Sequence, residues 1–592
     1  MDKNWSLDNL YESFDSPKFL KDFEGFKKAI DAFCIWSNAN LNSGENAKEK
    51  LETFINMSNE ISDYYMMRTY CRLLLSVDST NATARKYAES LQDISTGLVA
   101  PNTAFIAFIK CIDNLEELIE NSALLKEHAF YLKETKEQAA YILSQQEEAA
   151  ISKMKNTGSN AWAMLHDQLT STLSVDLNGE KTTLPMIRNM AQDENSVVRK
   201  AAFEAELAAL KTIDISAAAC LNAIKGEVIT TYKLRGYDSP LDMTLKDSRM
   251  ESTTLKAMLD AIQEYLPELR KYYHQKAKNL GYNGGLKYYD ICAPIGEISM
   301  SLSYEKAAEY IVAKFSEFAP EMGSFAKHAF DNQWLDVEPR PGKVGGAFCS
   351  GVPKIKECRI LSNFLEGSFD SMLTLAHELG HGYHGYCLKD EANLNKGYTM
   401  PIAETASTFC ETLVCQSALR DLADEPLSKI AILENAILGA TQVIVDIFTR
   451  YTFETWLFEN RANGSLSVDE LNKLMIDAHK KVYGDGLDET TIHPYMWIVK
   501  GHYYSAGRNF YNFPYAYGHM FSLGLYSKYL EEGESFTHKY KKLLAATGAS
   551  SLRDVGLMAD IDVNDINFWR SSLDLIKKDI EEYIALSHQL FK

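Results

Sequence analysis

Leu375-Ala376-His377-Glu378-Leu379-Gly380-His381-Gly382-Tyr383-His384 sets two histidines four residues apart, with a glutamate directly after the first. Upstream, Ser368 and Asp370 supply a cap and a charge match for a helix start, and Phe369, Met372, Leu373, Leu375 and Ala376 supply its apolar side. On such a helix, residues four apart lie about 40° apart on one face, with Cβ atoms roughly 5–6 Å apart. His377 and His381 can therefore converge on one zinc ion at about 2.0–2.1 Å. Glu378 flanks the pair, placed to take a proton from a zinc-activated water instead of binding the metal. A chance HExxH in a chain of this length is expected on the order of 2% of the time, so neighbouring sequence has to supply the rest of a centre.

A catalytic zinc needs a third protein ligand and an open fourth position. Pro401 is tolerated in a first helical turn, and residues 402–411 read as a second helix. Glu404 and Glu411, seven apart, share a face with Ser407 and Thr408. No Lys or Arg stands among these carboxylates, so the stripe is expected to face inward, toward the first helix. Glu404 is the expected third ligand and Glu411 an acceptor orienting a ligand histidine. His384 and Asp370 lie near the same face of the first helix. They read either as neighbours of the centre or as a buried, satisfied imidazole and a carboxylate that stabilises the helix dipole. Gly380 and Gly382 each cost a helix up to about 1 kcal/mol relative to Ala, so another helix or substrate backbone is expected to approach closely there.

Before this helix, residues 334–364 crowd Pro339, Pro341, Gly342, Gly345, Gly346, Gly351 and Pro353 together, which no helix survives. Residues 346–350 and 359–364 are short mixed runs between breakers and suit a small sheet beside the zinc-binding helix. Gly342-Lys343-Val344-Gly345-Gly346 lacks the order of a phosphate loop. Elsewhere the pattern is helical, as in residues 82–92, 124–155 and 197–210. Polar residues at 176–185 interrupt it and predict a boundary, giving an N-terminal helical lobe over 1–180 and a catalytic domain over 181–592. The fold class expected is all-α with a small β-sheet.

Toward the C-terminus come His493, His502-Tyr503-Tyr504, and a run from Phe510 to His519 rich in tyrosine. Such donors can stabilise the oxyanion of a tetrahedral intermediate, worth roughly 3–4 kcal/mol for one well-placed group. Composition narrows the rest. The 592 residues are 46% hydrophobic and 24% charged, with a net charge of -20, which opposes binding to nucleic acid or anionic lipid. The start lacks a secretory plan, and the apolar stretch 436–448 is interrupted by Asp446, so no membrane span is expected. Ten scattered cysteines without a CxxC pair suit a reducing, cytoplasmic setting.

These motifs together resemble the thimet oligopeptidase family of zinc metallopeptidases, in its oligoendopeptidase F branch. His377 to His384 is similar to the family's metal-binding helix, and Glu404 to Phe409 with Glu411 to its third-ligand helix. Thr405 and Ala406 stand where the thimet branch has Ala-Pro. Trp5-Ser6-Leu7-Asp8-Asn9-Leu10-Tyr11 resembles the opening of the oligoendopeptidase branch. Gly346 to Cys349 resembles the strand bordering the cleft, and His502-Tyr503-Tyr504 with Tyr511 to Tyr517 the His-and-Tyr substrate loop. The resemblance implies two lobes around a deep channel, short peptides as substrates and one Zn2+ per chain held by His377, His381 and Glu404. It also implies Glu378 as general base, His502 as an oxyanion or substrate-backbone donor, and Tyr511, Tyr515 and Tyr517 as further donors. The expected activity is that of a zinc oligoendopeptidase. The alternatives are a carboxypeptidase on the same site and a non-catalytic helical peptide-binding protein.

Overall fold

The computed structural model describes residues 1–296 and 302–591. Helices dominate, and among the described residues strands are confined to a two-stranded and a three-stranded sheet. Among the described residues three hydrophobic clusters form the core. The N-terminal one gathers Leu7, Leu10, Tyr11 and Phe19 with residues as far as Leu132. Tyr11, from the tryptophan-led opening, meets Phe19 edge-on at 5.2 Å and donates to Asp22 at 2.8 Å, so that opening anchors the first helices. The largest cluster runs from Val228 to Tyr583 and contains the HExxH helix. A third joins Leu173–Ile224 to Phe453–Tyr504.

One local expectation changes. Residues 124–155 form three helices, Ala123–Glu127, Ala129–Ala139 and Gln145–Thr157. The last starts afresh because Ser144 and Glu147 close a capping box. The polar stretch at 176–185 is a hairpin, β1 (Ser174–Leu177) against β2 (Glu180–Thr183). Asn178 and Gly179 turn it with φ of 57° and 91°, the backbone an Asn-Gly hairpin turn requires.

The second sheet contains β3 (Leu335–Asp336), β4 (Phe348–Val352) and β5 (Glu357–Leu361) in the order β3-β5-β4. It corresponds to the sheet expected beside the zinc-binding helix, with ends shifted by two to three residues around the turn at Pro353–Ile355. Among the described residues β4 pairs with β5 alone, which leaves its other edge free of strand pairing. Val352 enters the N-terminal core, Phe348 packs against it, and Arg72 donates to Ser350 at 2.5 Å. The N-terminal helices thus support the strand that borders the cleft.

The HExxH helix spans Phe369–Cys387. Ser368 caps it by accepting from the Ser371 amide, and Met372, Leu375, Ala376 and Leu379 are fully buried on its inner side. It packs along the helix Thr405–Asp421. At the contact, a Cβ on Gly380 would stand 2.6 Å from the Ala406 carbonyl oxygen and 2.7 Å from Ser407 Cα. On Gly382 it would stand 3.0 Å from Cys358 Sγ and from Phe325. The paired glycines serve a close approach of helix to helix and helix to sheet. Gly380→Val presses on main chain that cannot rotate away, and is expected to cost about 3 kcal/mol or more. A thermal midpoint equal to that of the parent protein would contradict this.

The helix Pro426–Arg461 runs through a π-helical turn at Gln442–Asp446, and Asp446 is the charged residue that interrupts its apolar stretch. By length and composition it could cross a membrane, but 61% of its apolar window is buried inside the protein. Ile430, Ile432, Leu433, Ile437 and Ile444 face the large core, which explains the hydropathy without a bilayer.

Candidate active site

His377, His381 and Glu404 converge as the spacing predicts, and among the described residues theirs is the cluster able to hold a metal ion. His377 Nε2 and His381 Nε2 are 3.1 Å apart, and Glu404 Oε2 lies 3.3 Å from the first and 3.4 Å from the second. A tetrahedral site with arms of about 2.0–2.1 Å has edges of about 3.3–3.4 Å, so the three atoms form one face of such a site. Two imidazoles and a carboxylate are also the donor set of a catalytic metal that keeps one position open.

Glu404 is not inside the second helix, as the sequence suggested. A short turn, Met400–Ala403, ends on it, and Thr405–Asp421 starts after it. Its φ of -92° and ψ of 2° swing the carboxylate off the helix face toward the imidazoles. The Ser407 hydroxyl holds Glu404 Oε2 at 2.8 Å. Glu411 Oε1 lies 3.0 Å from His377 Nδ1, which leaves Nε2 free to donate its lone pair. Burial opposes a charge on His377, but the hydrogen bonds to Glu404 and Glu411 overcome it and raise the imidazole to about 10. Burial raises Glu404, yet its bonds to both imidazoles hold it far below the usual carboxylate range. The arrangement therefore stabilises positive charge at the point where the three donors meet.

Glu378 is only 5% exposed, and its Oε2 has no hydrogen-bond partner among the described residues. Burial pushes its pKa up, which makes the carboxylate a stronger base. It lines a chamber of about 540 Å³ together with Phe348, Cys349 and Gly351 of β4 and with Tyr398. A second chamber, of about 530 Å³, is lined by Thr408, Glu411, Tyr515 and Asp579. His377 and Glu404 belong to both, so one cleft runs through the cluster.

The remaining sequence candidates divide. Tyr515 lines the second chamber and donates to the Tyr511 hydroxyl at 3.1 Å. Tyr517 does not reach either chamber. Two residues along the helix Phe513–Glu532 turn it about 200° from Tyr515, into the core between Trp569 and Phe521. His519, four residues after Tyr515 and hence on its face, lines the second chamber instead. His502 lines neither chamber; its Nε2 meets Asn512 Nδ2 at 2.5 Å. Burial, with Arg450, Lys225 and Lys500 nearby, lowers its imidazole to about 3, so it is neutral. His384 is fully buried, stacked on Tyr398 at 4.2 Å and bonded to Thr547 at 2.8 Å, away from the centre. Asp370 accepts from Asn435 at the chamber wall. Tyr398 and Asp579 were not foreseen, because each joins the cleft from an element with no motif of its own. Burial pushes the Asp579 carboxyl up to about 7.

The sequence profile of peptidase family M3 matches residues 189–565, more than half of the chain. The chain belongs to peptidase family M3. A second profile, described as Oligopeptidase F, matches residues 112–174. Among curated relatives, Oligopeptidase PepF of Bacillus subtilis is 23% identical over 98% of this chain and 86% of its own length. A chromosomal oligoendopeptidase F of Lactococcus lactis is 26% identical over 67% of this chain and 65% of its own length. Among solved structures, a Chlamydophila abortus protein described as a peptidase aligns over 99% of this chain and 98% of its own, with a TM-score of 0.85 at 18% identity. Oligoendopeptidase-F from Enterococcus faecium aligns over 96% and 99%, with a TM-score of 0.69 at 16% identity. These likenesses fix the all-helical fold. Family M3 membership makes the chain an enzyme, a metallo-oligopeptidase that acts on peptides, and the His377, His381 and Glu404 cluster suits the metal such an enzyme uses.

Proposed function

We propose that this M3 peptidase is a zinc-dependent endopeptidase of the oligoendopeptidase F branch that cuts internal bonds of short peptides. The observation that carries the reading is the donor triangle of 3.1–3.4 Å beside a buried, unpartnered Glu378 carboxylate. His377, His381 and Glu404 would hold one zinc ion per chain. A bound zinc supplies Lewis-acid polarisation of the scissile carbonyl and acidifies the attacking water.

The chain's own residues do the rest. The peptide adds as a strand to the free edge of β4, its main-chain groups pairing there. Glu378 takes a proton from the attacking water and delivers it to the leaving amine nitrogen. Glu411 keeps the His377 ring in one tautomer and orientation. Tyr515, kept protonated by burial, turns its hydroxyl proton from Tyr511 to where charge develops on the carbonyl oxygen, and the Tyr511 hydroxyl can then donate to it in turn. His502, neutral and held by Asn512, lines neither chamber in this structure; as a donor to substrate backbone it would have to swing toward the cleft from the turn Gly501–Tyr504. The proposed division near residue 180 falls at the β1–β2 hairpin, with the supporting lobe before it and the lobe that carries this chemistry after it. Ten free thiols fit action in the cytoplasm.

The test is an internally quenched peptide blocked at both ends. Cleavage at an internal bond is expected, abolished by a chelator and restored by one equivalent of zinc. Cleavage restricted to peptides with a free C-terminus would make the enzyme a carboxypeptidase. Cleavage indifferent to the chelator, or none at all, would remove the zinc assignment.

A further inference from the structure

A third cavity, of about 220 Å³, shares no lining residue with the two chambers of the cleft. The π-helical turn Gln442–Asp446 divides them: Val443 faces the second chamber, and Gln442 and Asp446 face the third cavity. Such turns interrupt regular helix at a cost and concentrate at functional sites. Arg188, Arg199, Arg450 and Lys500 line the cavity against two carboxylates, Glu206 and Asp446.

The carboxylates are already committed. Glu206 accepts from Arg188 at 2.6 Å, Asp446 pairs with Arg450, and Arg199 is matched by Asp290 at 2.7 Å. Lys500 Nζ has no hydrogen bond or ion pair among the described residues, so the cavity wall carries one unmatched positive charge. Arg450 Nε is buried without a partner. His493, 1% exposed, receives the Tyr495 amide on Nδ1, so its Nε2 is the protonated nitrogen. It faces the Glu206 carboxylate at 3.6 Å. Burial pushes Lys500 down to about 8, with Arg450 and Arg188 acting in the same sense against Asp446. An ammonium without a salt-bridge partner, beside the Arg450 Nε–H that has no acceptor among the described residues, lacks a counter-ion.

We propose that this cavity is a binding site for a compact oxyanion of phosphate type, held by Lys500 and Arg450. Arg450 offers its unpartnered Nε–H, since its two Nη atoms already serve Asn512 and Asp446, and Lys500 supplies the charge. The site is wired to the candidate catalytic loop: Arg450 donates to Asn512 Oδ1 at 3.1 Å, and Asn512 Nδ2 meets His502. Occupancy fixes Arg450, and through Asn512 the position of His502. The coupling rests on the role given to His502 above; the binding does not.

The test titrates inorganic phosphate into the metal-loaded enzyme at constant ionic strength, with chloride as the parallel arm. Thermal midpoint and cleavage of the quenched peptide are both read. The midpoint is expected to rise by roughly 1–2 °C in phosphate and to stay level in chloride, with kcat changing over the same concentrations. Lys500→Met, which removes the unmatched charge, is expected to abolish both responses. An equal rise in chloride would overturn selectivity for an oxyanion. No rise in the parent protein, or the same rise in Lys500→Met, would overturn the site. Binding with unchanged kcat would overturn the coupling to His502 alone, and leaves the zinc reading untouched.

Discussion

Glu378→Gln is expected to keep its metal and lose peptide cleavage by about 10²–10⁴-fold, the contribution of one positioned base. The substitution is nearly isosteric, so the buried site that leaves Glu378 5% exposed remains filled. What changes is basicity: the amide cannot take the proton of the attacking water or return it to the leaving nitrogen. Burial, which raises the Glu378 pKa, is what makes the carboxylate suited to hold that proton between the two steps. Metal content should be unchanged, because none of the three converging atoms belongs to Glu378. A loss of about 10³-fold corresponds to about 4 kcal/mol of activation free energy. Metal analysis and single-turnover cleavage together decide the matter: a metal-loaded variant that turns over at the parent rate would remove Glu378 from the chemistry.

The second large effect is expected for Glu404→Ala, which should emerge from dialysis without metal and without activity. Two imidazoles 3.1 Å apart remain, a bidentate site on one helix. The anionic donor that balances a divalent charge is gone. Glu411→Gln is the informative contrast. It leaves all three donors and removes only the acceptor on His377 Nδ1, so metal affinity should fall by about 10–100-fold and not vanish. Full metal occupancy in Glu404→Ala after dialysis would move the third ligand elsewhere. Equal losses in the two variants would mean that Glu411 does more than orient a ring.

What the sequence made legible follows helical periodicity and its breakage. The donors at His377, His381 and Glu404 were readable because spacing on a helix fixes their direction, and the breaker-rich segment before them could only be strand and turn. Glu404 itself was misjudged in one respect. A residue at the break between two helical pieces keeps the sequence spacing of one helix while its carboxylate leaves the helix face. Tyr517 shows the opposite failure. In a run dense with tyrosine, composition marked the neighbourhood, and only the helix register separated Tyr515 and His519 from a core ring two residues away. The hairpin at Asn178-Gly179 carried its own turn signal, and the polar residues around it marked only the break in helical periodicity. Tyr398, Asp579 and the oxyanion cavity are assembled from distant segments, for which no local pattern exists.

At the crossing of the two ligand-bearing helices, the spacer is peptide main chain: Gly380 on one side, Ala406 and Ser407 on the other. The reach from Glu404 to the imidazoles is therefore a matter of covalent dimensions more than of side-chain volumes. Exchanging one aliphatic for another in the surrounding core can soften the packing while the coordination polyhedron keeps its size. Drift in that core is consequently cheap for the chemistry, whereas a single methyl group at the crossing is not.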